Sequence, residues 1–261
     1  MAAQGRLLIV AGSDSGGGAG IQADIKTCTA LAGFAMTAVT ALTAQNTEGV
    51  HGVHPVPPGF IADQIRVVLR DIGADAVKTG MLHDAEVIEA VAETLAREAP
   101  GVPVVVDPVM VAKGGHALLR EDAVEALRRH MLPLATLLTP NLPEAEALLD
   151  GRAPDWPSWA ALEVRAVLLK DGHGEGTVVR DRLLTPSGET AFEHERLDTR
   201  HTHGTGCTLA SAAATGLAQG LDLVSAVRRA GNFVHEAIRS APGFGRGHGP
   251  LNHQLTMRRF A

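Results

Sequence analysis

The sequence predicts an α/β fold of three αβα layers, with a mostly parallel central sheet covered by helices on both faces. Three observations point there. Short runs rich in β-branched residues and Leu alternate with longer segments whose apolar residues recur at helical period. The short runs end in Gly, Pro, Asp or Asn, as buried strands do. The chain has 261 residues, 45% hydrophobic and 20% charged, a size and composition that suit one α/β domain spanning 1–261.

In chain order, the predicted strands are Arg6 to Ala11, Met36 to Leu42, Ala74 to Lys78, Val102 to Val106, Thr136 to Thr139 and Ala166 to Lys170. Thr27 to Thr47 carries no charge, yet it is a poor membrane span: six Thr, Gln45 and Asn46 make it helix, turn and strand. Asp84 to Glu98 is a helix because Val87, Ile88, Val91 and Leu95 share one face. Asp222 to Ser240 repeats the pattern with Leu223, Val227, Val234 and Ile238. Gly151 to Trp159 reads as a loop. Thr177 to Phe192, with Pro186-Ser187-Gly188 inside it, reads as an antiparallel hairpin on one sheet edge.

Composition excludes several functions. A net charge of −6 without a basic block argues against nucleic acid, and 3% aromatics with no Tyr leaves no base-stacking platform. Cys28 and Cys207 cannot frame a disulfide scaffold, so a reducing cytoplasm fits. The apolar run Leu7 to Ala11 is too short for a secretory core, and no membrane partner is expected.

Ligands of open parallel sheets bind beyond the C-terminal strand ends. Those predicted ends carry Gly12 to Gly20, Thr43 to Thr47, Lys78 to Met81, Asp107 to Met110, Thr139 to Asn141 and Lys170 to Gly172. His203-Gly204-Thr205-Gly206-Cys207 follows, opening an Ala-rich helix. Glycines let backbone N–H groups approach a ligand, and a helix N-terminus attracts anions. The segment is therefore a cradle for negative charge with a thiol inside it, or simply a helix start with a buried Cys.

Standard fingerprints are absent. The chain has no G-x-G-x-x-G, no Gly-Lys dipeptide, no H-E-x-x-H and no G-x-S-x-G. His51, His54, His201 and His203 read as polar loop residues. What remains is phosphoryl transfer without a Walker loop, which needs a metal anchor, a cation and a cradle. Asp107 and Glu144 are candidates for Mg²⁺, Lys170 for the phosphates, and Gly204 to Cys207 for the cradle. Each has a plainer alternative. Asn141 and Glu144 fit a capping box, Asp107 fits a strand end, and Lys170 fits a solvated charge. Asp14 and Asp24 read as caps or surface acids.

Six segments together resemble one family: AGSDSGGGAGIQADIKT (11–27), TALTAQNTEGV (40–50), VKTGML (77–82), VVVDPVMVAKGG (104–115), TPNLPEAEAL (139–148) and DTRHTHGTGCTLASA (198–212). They are similar to the bacterial hydroxymethylpyrimidine/phosphomethylpyrimidine kinases of thiamin biosynthesis, in order and over nearly the whole chain. The resemblance implies a ribokinase-like fold, a homodimer, and ATP- and Mg²⁺-dependent phosphorylation of 4-amino-5-hydroxymethyl-2-methylpyrimidine and then of its monophosphate. It places Gly12, Gln45, Met81, Val109 and Cys207 around the pyrimidine. It places Asp107, Asn141, Glu144, Lys170 and Thr205 near metal and nucleotide phosphates, with Gly204 and Gly206 in an anion hole.

Ribokinase-like sugar kinases carry Asp where Cys207 stands. Some family members carry Glu where this chain has Gln45, and many have Lys-Gly-Gly where it has Lys170-Asp171-Gly172. A Gln amide offers the acceptor and donor that an aminopyrimidine complements. A helix N-terminus is expected to lower the Cys207 pKa and make the thiol a proton acceptor. On that reading, Cys207→Ala harms the first phosphorylation far more than the second. The two rivals are a pyridoxal or pyridoxine kinase and a non-catalytic pyrimidine-binding regulator. Gly12 to Gly20 and Gly172 to Gly176 are the lid candidates.

Overall fold

The computed structural model describes residues 5–110, 123–172 and 176–255. The first half runs β1 (Arg6–Ala11), α1 (Gly20–Ala30), β2 (Phe34–Val39), β3 (Ala41–Gln45), β4 (Val50–Pro55), α2 (Pro58–Asp71), β5 (Ala76–Thr79), α3 (Ala85–Glu98) and β6 (Val104–Val106). The second runs α4 (Ala123–Ala126), β7 (Leu137–Leu138), α5 (Leu142–Leu149), α6 (Trp156–Ala160), β8 (Val167–Leu169), β9 (Val178–Thr185), β10 (Gly188–Glu195), α7 (Thr205–Ala218) and α8 (Leu223–Arg239). Residues 111–115 of the predicted VVVDPVMVAKGG motif, and 173–175 of the second lid candidate, lie outside the described residues.

Eight strands form one sheet in the order β10-β9-β8-β7-β6-β5-β1-β2. Strands β2 through β8 of this sheet are parallel, and the β9/β10 hairpin is antiparallel at one edge, as expected. The predicted mostly parallel α/β sheet is therefore present. Strand β1 shows why it folds this way. Leu8 and Val10 face one core and Leu7, Ile9 and Ala11 the other, all at most 1% exposed. A strand buried on both faces needs helices on both. Helices α2, α3 and α5 contribute to the first core, and α1, α7 and α8 to the second. Asp84 and Asp222 start α3 and α8 by accepting hydrogen bonds from Val87 N and Ser225 N.

Strand β1 lies between β2 and β5, so successive crossovers leave it in opposite directions. Such a switch point opens a crevice at the C-terminal strand ends.

Three expectations need correction. The strand predicted from Met36 to Leu42 is broken at Thr40, which donates its N–H to Ala11 and its hydroxyl to the Met81 carbonyl. With Thr40 held by these neighbours, the chain leaves the sheet, and 41–55 form a separate two-stranded hairpin. The predicted rim loop Thr43 to Thr47 thus begins as strand. Within the predicted loop Gly151 to Trp159, α6 begins at Trp156, capped by Asp155 accepting from Ser158 N, because Trp159 is driven completely into the core. The sequence reading also passed over α2, whose Ile61 and Ile65 are fully buried.

Candidate functional site

The strand ends line a cleft of about 1040 Å³. At one end stands a compact charged group. Lys170 follows β8, and its Nζ lies 3.1 Å from Asp107 Oδ1 and 3.8 Å from Glu144 Oε2. Asp107 follows β6 and also accepts from Thr139 Oγ1. A methyl group placed on Gly206 would sit 3.4 Å from Lys170 Nζ and 3.7 Å from Asp107 Oδ2. The lysine, both carboxylates and the first turn of α7 therefore converge.

Burial works against the charge on Lys170, but Asp107 and Glu144 outweigh it and raise its pKa. Burial raises Glu144 as well, with Lys170 opposing. Glu144 proves to be a capping residue and a cleft residue at once. Its N–H reaches Asn141 Oδ1, and its Oε2 accepts from Asn141 N. The capping box fixes a carboxylate that also faces Lys170.

Helix α7 starts at Gly204, whose φ of 85° is left-handed and favours glycine. A Cβ there would also collide with the Gly18 carbonyl oxygen, so the two glycine loops touch. The first N–H groups of α7 have no partner inside the helix, and Gly204, Thr205, Gly206 and Cys207 line the cleft. Thr205 is tied back, its hydroxyl donating to the Thr202 carbonyl. Cys207 is half-buried on this turn. The expected low pKa is overturned: burial pushes the thiol up to about 12, although Lys78 pulls it down. Desolvation of a thiolate outweighs the helix terminus here.

The opposite end is built from the glycine-rich loop and the β3/β4 hairpin. Gly12 and Met81 touch so closely that a Cβ on Gly12 would strike Met81 Cε. Gln45 and Val109 also line the cleft. Ser15 Oγ bonds both N–H and C=O of Gln45 at 2.8 Å, and Thr43 Oγ1 donates to the Ser13 carbonyl. The glycine loop and the hairpin are thereby zipped together.

Three residues depart from expectation for one reason, a buried partner distant in sequence. Asp14, expected as a cap or surface acid, is 1% exposed. It accepts from the N–H groups of Gly16, Gly18 and Ala19 and lies 2.8 Å from His203 Nε2. Burial alone would raise Asp14; His203 and these amides outweigh it and lower its pKa. His203, expected as a loop histidine, is buried. Asp24, likewise expected at the surface, is fully buried. It bonds Lys78 Nζ at 2.9 and 3.0 Å and Ser211 Oγ at 2.7 Å. The signal for this pair was a lysine inside the apolar strand Ala76–Thr79, paired in register with Ile9.

Among the described residues, no group of three His, Cys, Asp or Glu could enclose a metal ion. The Asp107–Glu144 pair fits a cation that keeps most of its ligands as water and phosphate oxygens, as Mg²⁺ does. Among the described residues, no helix is long and apolar enough to cross a membrane.

The chain matches the phosphomethylpyrimidine kinase family over residues 14–252. It is 51% identical over 97% of its length to the thiamine biosynthesis bifunctional protein ThiED of Geobacter sulfurreducens, spanning 53% of that protein. It is 50% identical to the hydroxymethylpyrimidine/phosphomethylpyrimidine kinase of Streptomyces coelicolor, over 95% of this chain and 93% of that one. A structure of Bacillus subtilis pyridoxal kinase as an ADP complex superposes with a TM-score of 0.88 at 34% identity, covering 98% of this chain and 100% of that one. A family match across nearly the whole chain, on a fold whose cleft gathers the matched motifs, leaves one conclusion: the chain belongs to the phosphomethylpyrimidine kinase family.

Proposed function

We infer that this chain transfers the γ-phosphoryl group of ATP to the hydroxymethyl oxygen of 4-amino-5-hydroxymethyl-2-methylpyrimidine, and then phosphorylates the monophosphate to the diphosphate for thiamin biosynthesis. One observation carries the reading. Lys170, Asp107 and Glu144 meet the first turn of α7 at one end of a cleft whose other end holds Gln45, Met81 and Gly12. A nucleotide at the charged end and a small ring at the other would place donor and acceptor together.

Phosphoryl transfer through a loose transition state asks for positioning and charge stabilisation more than for covalent help. The N–H groups of Gly204, Gly206 and Cys207 meet the charge that develops on the migrating phosphoryl group. Lys170 adds a cation beside them, and Asn141 and Thr205 flank the nucleotide side. Asp107 and Glu144 would hold Mg²⁺, which supplies charge neutralisation on the phosphates. Gly12, Gln45, Met81 and Val109 orient the ring. Cys207 carries its proton at neutral pH, so its part in the free enzyme is contact with the acceptor end rather than proton removal. In the second step the acceptor is already ionised and needs no base.

Pyridoxal is the second substrate to test, since a pyridoxal kinase shares this fold at a TM-score of 0.88. The experiment is product analysis by mass spectrometry with ATP, Mg²⁺ and each of the pyrimidine, its monophosphate and pyridoxal. The expected products are the pyrimidine mono- and diphosphates. Pyridoxal phosphate alone would overturn the reading in favour of a vitamin B6 kinase. No phosphorylated product, with the pyrimidine still bound, would make the chain a ligand-binding regulator.

A further inference from the structure

Five of the nine residues from Gly12 to Gly20 are glycine, and such a loop has little stiffness of its own. The Asp14 carboxylate supplies it. Its Oδ1 accepts from Gly16 N, and its Oδ2 from Gly18 N and Ala19 N, at 2.8 to 3.0 Å. The loop is thus folded around one buried side chain. The fourth donor comes from outside the loop. His203 Nε2 lies 2.8 Å from Asp14 Oδ2. A carboxylate only accepts, so Nε2 carries its proton and donates it there.

Three segments meet at His203. Its ring holds the glycine loop through Asp14. Its backbone N–H donates to the Gly249 carbonyl, which ties in the segment after α8. The next residue, Gly204, opens the first turn of α7. The contact is tight from both sides. A Cβ on Gly18 would lie 2.5 Å from His203 Cδ2, and a Cβ on Gly204 would strike the Gly18 carbonyl oxygen. The same glycine loop begins with Gly12, packed on Met81 at the ring end of the cleft. The Asp14–His203 bond therefore joins a wall of the acceptor site to the cradle at the phosphate end.

We propose that Asp14 and His203 are positioning residues for phosphoryl transfer: their hydrogen bond sets the separation between the acceptor wall and the α7 cradle, and so aligns the hydroxymethyl oxygen with the γ-phosphoryl group. Neither side chain needs to touch the reacting atoms. Transfer requires those atoms about 3–3.5 Å apart, and a misplacement of about 1 Å costs on the order of 10²-fold. A glycine loop released from His203 does not hold that distance. The inference rests on the proposed pyrimidine kinase activity and adds to it what brings the two substrates into register.

The test measures kcat for the first phosphorylation, and KM for ATP and for 4-amino-5-hydroxymethyl-2-methylpyrimidine, in wild type, His203→Leu, His203→Gln and Gly18→Ala. Each is assayed at a temperature where its melting curve shows it folded. His203→Leu removes the N–H donor and is expected to lower kcat by about 10²-fold. Both KM values stay near wild type, because each substrate still binds its own end. His203→Gln keeps an N–H donor and retains most of the wild-type kcat. Gly18→Ala leaves both partners in place but drives the loop off the His203 ring, and lowers kcat by a smaller factor. A lower melting temperature with unchanged kcat in His203→Leu makes the pair structural only and overturns the proposal. A raised pyrimidine KM at unchanged kcat overturns it too, as does a His203→Gln variant as slow as His203→Leu. If His203→Leu does not fold, an unchanged kcat in Gly18→Ala overturns it instead. A wild type that phosphorylates nothing sinks the underlying functional reading before any variant is made, an outcome distinct from these.

Discussion

Lys78 and Lys170 stand at the same end of two parallel strands, and each pairs with an aspartate, but their surroundings differ. Lys78 and Asp24 are both wholly buried, one cation against one carboxylate, with Ser211 filling a remaining acceptor site on Asp24. Burial opposes the charge on Lys78, yet Asp24 holds its pKa raised. The pair ties β5, α1 and α7 together, with Lys78 buried in the wall of the cleft. Lys170 has two carboxylates, at 3.1 and 3.8 Å, and opens onto the cleft with 13% of its side chain exposed. One cation between two anions leaves charge uncompensated. A balanced, sealed pair holds architecture, while an unbalanced, open one keeps capacity for a further cation and a phosphate.

The sharpest way to break this contrast is at the sealed pair. Lys78→Met leaves the Asp24 carboxylate buried and alone, at a cost of about 3–5 kcal/mol of folding stability. Denaturant melts should show that loss, and Lys78→Met with Asp24→Leu should recover most of it. A stable single variant would remove the pair from the architecture.

A second sealed contact behaves in the same way and titrates. His253 Nε2 lies 2.9 Å from Thr208 Oγ1 on the first turn of α7, and burial lowers its pKa to about 4. Between that value and the ordinary 6.5 the unfolded chain binds a proton that the folded chain does not. Stability is therefore complete above pH 6.5 and falls as pH drops toward 4, by up to about 3 kcal/mol at about 1.4 kcal/mol per pKa unit. Melts from pH 7 to 4 should show this slope, and His253→Asn should flatten it.

At the open pair the effect moves from stability to turnover. Lys170→Ala is expected to cut kcat by roughly 10²-fold, the scale for one lost charge-stabilising donor. Steady-state kinetics on the folded variant decide the point; unchanged turnover would place Lys170 outside the chemistry. Cys207→Ala is the mildest. With the thiol protonated, both phosphorylations should fall by a similar factor of about ten, the scale of one lost contact. A far larger loss in the first step would restore the thiol as a proton acceptor, as the sequence reading expected.

The strands and the two long amphipathic helices were legible because their burial is written in local periodicity. Arg6 to Ala11 is apolar on both faces, and Val87, Ile88, Val91 and Leu95 repeat at helical spacing. The charged cleft residues were legible because Lys170 and Asp107 follow such strands and Glu144 lies in the first turn of the helix after β7. The hairpin at Thr40 was not legible: a threonine that stops a strand does so through bonds to Ala11 and Met81, far away in sequence. Asp14, Asp24 and His203 failed for the same reason. A charged residue looks solvated until its partner is known: Asp14 and His203 lie 189 positions apart, and the partners of Asp24 lie 54 and 187 positions away.

By itself, the sequence determined the alternation of strands and helices, the glycine loops and the charged strand ends, because those depend on residues a few positions apart. Only the tertiary structure decided which charges are sealed and which face the cleft, and it alone reversed the expected acidity of Cys207. Desolvation and pairing depend on what surrounds a group in space, and the chain brings those surroundings from distant segments.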